Sequence, residues 1–315
     1  MQQVIIVARI GGIEKTRAVA EKVMTMTPEQ REQFDRNGYL LIRGALSEAE
    51  VAHYGAALDQ VYAAERAAAR LPEGSAMHLL SAVANCPEAI GLIDHPATFP
   101  LVWSVLGWNV HIYHSHLDVH PPVRSPKPFR FEWHQDGGRQ NVEIDGEPRP
   151  RISVKLAYWL SDVSVGGRGN LKVIPGSHLR NRIDGPPRRD IEWPDPDGAI
   201  ELLAMPGDAV FLDRRLWHAR GINYSAVTRK AIFFGYSPRW VAIRDQVDYR
   251  DRQGCSDAQN LVRRQLLGDP GLGLPSEALG DHRWGHYPLT TPLYSLLAER
   301  GQLQAGYPPL RPVAS

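Results

Sequence analysis

The sequence predicts an α+β protein, mainly β, with a jelly-roll core (a double-stranded β-helix, cupin-like) and N-terminal helices packed on one side. Three observations predict it. Helix-start signals crowd the first third of the chain. After about residue 108 the apolar period falls to two, in short runs separated by Gly, Pro and Asp turns. Many short strands following a block of helices suit a two-sheet core with the helices laid against it.

Taken in order, Thr27-Pro28-Glu29-Gln30 reads as a helix N-cap, a proline at the first helical position and an acidic first turn. Residues 1–25 precede that signal and read as a tail or an upstream-start extension, with 26–315 as a single domain. Ser47-Glu48-Ala49-Glu50 caps a second, Ala-rich helix running to Arg70. Leu79 to Leu106 continues as shorter helices broken by Pro87, Pro96 and Gly107. Strands are expected at Val110 to Val119, Arg151 to Leu160, Leu171 to Ile174, Ala199 to Leu203, Ala209 to Leu212 and Lys230 to Tyr236, so the core spans about 108–240. The extension 241–315 is rich in Gly and Pro, with helices expected at Ser256 to Leu267 and Pro292 to Glu299.

Composition narrows the function. The 315 residues are 43% apolar and 23% charged with a formal net charge of +1, which argues against a phosphate-tracking surface of clustered Lys and Arg. The pairs Arg188-Arg189, Arg214-Arg215 and Arg263-Arg264 are scattered. Cys86 and Cys255 lie far apart, giving neither a disulfide framework nor a thiolate metal site, as a reducing cytoplasm allows. Val4 to Ala8 is too short an apolar run to span a bilayer and lacks the flanks of a signal peptide. The expectation is a soluble cytoplasmic protein acting on a small molecule, with no nucleic-acid or membrane partner; the oligomeric state is left open.

The chemistry concentrates in Trp133-His134-Gln135-Asp136 and, some eighty residues later, Leu216-Trp217-His218. On a strand, His134 and Asp136 share one face, and His218 would join them from another strand. Two imidazoles and one carboxylate on one side of a metal are the ligand set of a mononuclear Fe(II) oxygenase. The open side has room for a bidentate 2-oxo acid and for dioxygen. The same ligands on Zn or Mn would serve a cupin-like hydrolase or isomerase without oxygen, and a catalytically silent binding protein is a third reading.

Downstream come Gly169-Asn170-Leu171-Lys172-Val173-Ile174-Pro175-Gly176-Ser177-His178, then Met205-Pro206-Gly207-Asp208-Ala209-Val210-Phe211-Leu212, then His218, then Arg229. From about Met26 to Trp240 this ordered set resembles the phytanoyl-CoA dioxygenase family of iron(II)/2-oxoglutarate oxygenases. The resemblance also matches Gly38 to Gly44 to the family's first strand. It implies Fe(II) held by His134, Asp136 and His218, with 2-oxoglutarate and dioxygen as co-substrates. Retention of Asp136, which halogenating relatives replace, implies hydroxylation, desaturation or another oxidation. Arg229 stands where the family anchors the distal carboxylate of 2-oxoglutarate, a task suited to a planar, permanently charged group; Lys230 points to the other face. By the same resemblance Phe131 lines the co-substrate pocket, and Ser153 and Lys155 offer a further co-substrate contact.

One strand is unusually polar. His114, His116, Asp118 and His120 share a face, opposite Tyr113, Leu117 and Val119. A second metal is one explanation, although the family needs none. The resemblance makes His114 and His116 substrate contacts and sets Asp118 nearer the co-substrate. After the metal motif, Gly137-Gly138-Arg139-Gln140-Asn141 lacks the aromatic and acidic stretch of the family's ectoine hydroxylases, which speaks against ectoine. Arg139, Gln140 and Asn141 read either as a flexible polar loop that meets the substrate or as a plain solvent-exposed turn. Arg220 stands where much of the family has a small hydroxyl residue. Hydrogen-bonding groups at all these positions favour a polar, functionalised molecule, such as a natural-product intermediate, over a bare acyl chain.

Overall fold

The computed structural model describes residues 25–123, 133–183, 195–245, 261–269 and 291–302. The expectations for Phe131, Arg188-Arg189, Cys255, nearly all of the N-terminal tail and the first part of the helix expected from Ser256 lie outside those residues.

Both early helices start where the caps place them. Thr27 opens α1 (Pro28–Asn37) and Ser47 opens α2 (Glu48–Ala67), each with a reciprocal capping box. Between them runs β1 (Tyr39–Ile42). The turn from α1 into β1 needs Gly38: its φ is 80°, and a Cβ there would come within 2.6 Å of the His178 ring. β2 (Met77–Leu80), α3 (Ala82–Asn85) and α4 (Phe99–Leu106) follow, then β3 (Val110–His120) and the short turn α5 (Gln140–Glu143). The remaining strands are β4 (Val154–Trp159), β5 (Leu171–Val173), β6 (Ile200–Glu201), β7 (Ala209–Asp213), β8 (His218–Arg220) and β9 (Arg229–Pro238). α6 (Leu261–Leu266) and α7 (Pro292–Glu299) end the described chain.

The strands form two antiparallel sheets, β1-β7-β4-β9-β3-β2 and β6-β5-β8. This is the two-sheet core expected. β2 is a correction, because the sequence reading began a run of helices at Leu79. Pairing with β3 decides the matter, His78 standing opposite Asp118 and Leu80 opposite His116. Such pairing overrides a weak local preference.

Alternation along the large sheet separates two cores. Leu156 and Tyr158 of β4, Phe211 of β7, and Ile232 and Phe234 of β9 pack with Phe34, Leu58 and Val102 from the helices. Their neighbours Ala157, Trp159, Val210, Leu212, Ala231 and Phe233 turn the other way, toward Leu171 and Val173 of the small sheet. Helices thus cover one face of the large sheet, and the small sheet covers the other. Side chains in phase with Trp159 and Phe233, namely Lys155 and Arg229, point between the sheets. Lys230 is out of phase and meets Asp59 of α2 at 2.6 Å on the outside. No helix among the described residues is long and apolar enough to cross a membrane.

Candidate metal centre

His134 and His218 are held together by their own backbones. His134 N donates to His218 O at 3.0 Å and His218 N donates to His134 O at 2.9 Å. Asp136 N donates to Arg214 O at 2.9 Å, so the His-x-Asp segment lies alongside the chain that carries the distal His. Asp136 Oδ1 then stands 3.8 Å from His134 Nε2 and 3.9 Å from His218 Nε2. The His218 Nδ1 proton goes to the Leu216 carbonyl, 2.8 Å away, which leaves the Nε2 lone pair facing the carboxylate.

The other oxygen of Asp136 is taken. Lys155 Nζ, buried between the sheets, lies 2.5 Å from Asp136 Oδ2. Burial alone would raise the Asp136 pKa, but Lys155, His218 and His134 overcome it and hold the carboxyl well below the usual range. Burial, reinforced by His134, pushes His218 down to about 3, so its imidazole is neutral at physiological pH. Two imidazole nitrogens and one free carboxylate oxygen, with the outer oxygen paired to an ammonium, fit a divalent metal of the iron class and leave its cavity side open.

The cavity measures about 570 Å³ and is lined by both imidazoles, Asp136, Lys155, Arg229 and Phe233, among others. Arg229 is only 2% exposed, with its guanidinium 4.7 Å from the Trp159 ring centroid and 5.6 Å from that of Phe233. Its Nη1 donates to Asp118 Oδ2 at 3.0 Å. Its Nε is buried with no hydrogen-bond partner among the described residues. A buried donor without an acceptor is costly, and the edge that carries Nε is the edge a planar carboxylate engages in bidentate fashion.

The structure brings some of the expected site residues together and not others. His114, His116 and Asp118 line the cavity. Lys155 lines it too, but as the partner of the Asp136 carboxylate, which its position in phase with Trp159 dictates. Ser153 faces Tyr113, its hydroxyl donating to the phenol oxygen at 3.4 Å, and is not among the cavity-lining residues. The stretch from Arg139 to Asn141 takes the second of its two expected forms, the short turn α5 with its N-cap, and the expected substrate contact is corrected, because it does not line the cavity. Arg214 ties it down, donating to Gln140 Oε1 at 2.9 Å and Asn141 Oδ1 at 2.8 Å. Arg214 gets in because Gly137, at φ 120°, has no Cβ; one would sit 2.1 Å from its Nη1. Arg139 pairs with Glu143 in solvent.

Three residues escaped the sequence reading. Tyr113 was expected on the outer face, but the register of β3 against β9 slips between Ile112 and His114. That bulge turns the phenol inward over Gly235, where burial and then the Asp136 carboxylate raise its pKa. His78 enters from β2, and Arg244, whose N–H donates to Tyr113 O at 2.7 Å, borders the cavity. Neither has a local sequence signal.

Comparison with known proteins agrees with this geometry. The profile of the family described as Phytanoyl-CoA dioxygenase (PhyH) matches residues 34–231. An ectoine dioxygenase of Nocardia farcinica is 26% identical over 240 residues, covering 66% of this chain and 77% of the relative. Among solved structures, the non-heme alpha ketoglutarate dependent carbocyclase SnoK from nogalamycin biosynthesis matches at 26% identity with a TM-score of 0.52, over 68% of this chain and 84% of its own. HygX from Streptomyces hygroscopicus, with nickel and 2-oxoglutarate bound, shares the fold at 18% identity and a TM-score of 0.55, over 70% and 90% of the two chains.

Proposed function

The chain belongs to the phytanoyl-CoA dioxygenase family of 2-oxoglutarate-dependent non-haem iron dioxygenases, and from that premise we propose that it hydroxylates a C–H bond of a polar small molecule, of the kind met as natural-product intermediates. The observation that carries the reading is one cavity lined by both the His134, Asp136 and His218 donor set and Arg229, whose buried Nε has no hydrogen-bond partner among the described residues.

In this reading His134 Nε2, His218 Nε2 and Asp136 Oδ1 hold Fe(II). Bound there with 2-oxoglutarate and dioxygen, iron supplies the oxidising chemistry, and the co-substrate leaves as succinate and carbon dioxide. Lys155 holds the outer oxygen of Asp136, so only Oδ1 would be free to ligate. Leu216 O fixes the tautomer of His218. Arg229 receives the distal carboxylate of 2-oxoglutarate on its Nε edge, with Trp159 and Phe233 holding the guanidinium plane. Leu171, Leu212 and Phe233 keep that side of the cavity dry, while His114, His116 and Arg244 present polar groups to the substrate.

The test is oxygen-dependent succinate release across two substrate panels, polar functionalised metabolites and long fatty acyl thioesters. Release should follow a member of the first panel and be lost in His114→Phe, which removes a cavity donor and acceptor without touching His134, Asp136 or His218. Turnover driven by the acyl thioesters would overturn the substrate class.

A further inference from the structure

Asp118 repeats the construction of Asp136. Its Oδ2 is held by a buried cation, Arg229 at 3.0 Å, as Oδ2 of Asp136 is held by Lys155. Its Oδ1 faces two imidazoles, His78 Nδ1 at 2.7 Å and His116 Nε2 at 4.0 Å. The two spacings at Asp136 are 3.8 and 3.9 Å. In each set, one donor atom from every residue lies within 4.8 Å of the others. His78 and Asp118 are cross-strand partners, and His116 shares the face of Asp118 on β3, so the fold itself assembles the three.

The hydrogen bonds around His116 dispose it as a ligand. His116 Nδ1 and His114 Nε2 are 3.2 Å apart, so one of them donates. His114 Nδ1 lies 3.9 Å from the Asp245 carboxylate and has no hydrogen-bond partner among the described residues. A proton on that atom, facing the carboxylate, makes His114 Nε2 the acceptor. His116 then donates from Nδ1 and keeps a bare lone pair on Nε2, aimed at Asp118 Oδ1. Asp118 Oδ1 meanwhile accepts a hydrogen bond from His78 Nδ1 at 2.7 Å, and a metal ion bound between the three would take the place of that proton. Stacking on Phe233, with ring centroids 4.3 Å apart, fixes the ring plane. This is the arrangement in which a metal-bound imidazole donates its other N–H to a partner.

The geometry points to a second divalent-cation site in the same cavity, made by His78, His116 and Asp118, that takes a borderline ion of the zinc class. Two imidazole nitrogens and one carboxylate oxygen match that class, and zinc bonds of about 2.0–2.2 Å put tetrahedral ligand atoms roughly 3.4 Å apart. His116 Nε2 and Asp118 Oδ1, 4.0 Å apart, reach that spacing by a small rotation of the ring or the carboxylate, and His78, whose side chain is 51% exposed on the short edge strand β2, draws back from 2.7 Å. The fourth position opens toward the cavity, where a carboxylate, phosphate or hydroxyl oxygen of the substrate would complete it.

The experiment is equilibrium dialysis of chelator-stripped full-length protein against Zn(II), with bound metal counted by mass spectrometry and folding checked by thermal melts. Wild type should hold two ions per chain, His218→Ala one, His78→Ala one, and the double variant none. His116→Gln, which keeps the size and polarity of the side chain, should also hold one. A His78→Ala protein that holds as many ions as wild type overturns the inference, whatever the wild-type count. Loss of an ion in His218→Ala reports on the iron centre alone, so failure of either site is read separately.

Discussion

Asp136, half-buried, and Asp118, buried, both keep one oxygen on a cation and the other before two imidazoles, and both border one cavity, yet different parts of the fold hold their imidazoles. At Asp136 the two His residues are joined by reciprocal backbone hydrogen bonds and come from segments locked against each other. At Asp118 one His sits half in solvent on a four-residue edge strand. The difference teaches what makes a resident metal site. Donor identity is common to both, whereas fixed donor positions belong to the first, and fixed positions favour a permanently bound catalytic ion. The adjustable set suits an exchangeable ion. The two cations differ as well: Lys155 is a point charge spent on its carboxylate, while Arg229 has a planar fork with an edge to spare.

Removing each cation in turn sharpens the comparison. Arg229→Ala should give the largest effect. Truncating one partner of a buried, hydrogen-bonded charge pair costs about 2 to 5 kcal/mol, so KM for 2-oxoglutarate should rise roughly 30-fold or more while iron affinity changes little. Equal losses of both would show that the two nests are one coupled unit.

Lys155→Met should act on stability first. It leaves the Asp136 carboxylate buried without a cation, a loss of about 3 to 5 kcal/mol, or a fall in Tm of roughly 10 °C. Ni(II) should restore much of that fall, because the ion replaces the missing positive charge, so the gap between metal-free and metal-loaded Tm widens relative to wild type. An unchanged gap would break the assignment of Lys155 to the metal-ligand carboxylate. The smallest effect belongs to Lys230→Ala, whose pair with Asp59 lies on the outer face and contributes about 1 kcal/mol at most, with no change in KM for 2-oxoglutarate.

Much of the fold and the candidate ligand set was legible because their signals are local. The caps at Thr27 and Ser47 specify two helix starts within four residues each, and His134 and Asp136 are neighbours on one strand face whatever the rest of the chain does. Arg229 was legible through its order after His218, and its inward direction follows from strand phase. What was not legible depends on pairing between distant segments. A bulge that matches two residues to one in β9 turned Tyr113 inward, and no alternation pattern carries that information. His78 gains its meaning only from standing opposite Asp118. The polar run from Arg139 to Asn141 has a composition that suits an open loop, yet Arg214, distant in sequence, folds it into a turn away from the cavity.

The central claim is that His134, Asp136 and His218 hold Fe(II) with open positions for a 2-oxo acid, and anaerobic optical spectroscopy tests it most directly. Stripped protein given Fe(II) and then 2-oxoglutarate without oxygen should develop the weak visible charge-transfer band of a chelated 2-oxo acid. His218→Ala should abolish that band, and Arg229→Ala should shift its appearance to higher 2-oxoglutarate concentration. A band of undiminished intensity in His218→Ala, or none in the wild-type protein, would contradict the account.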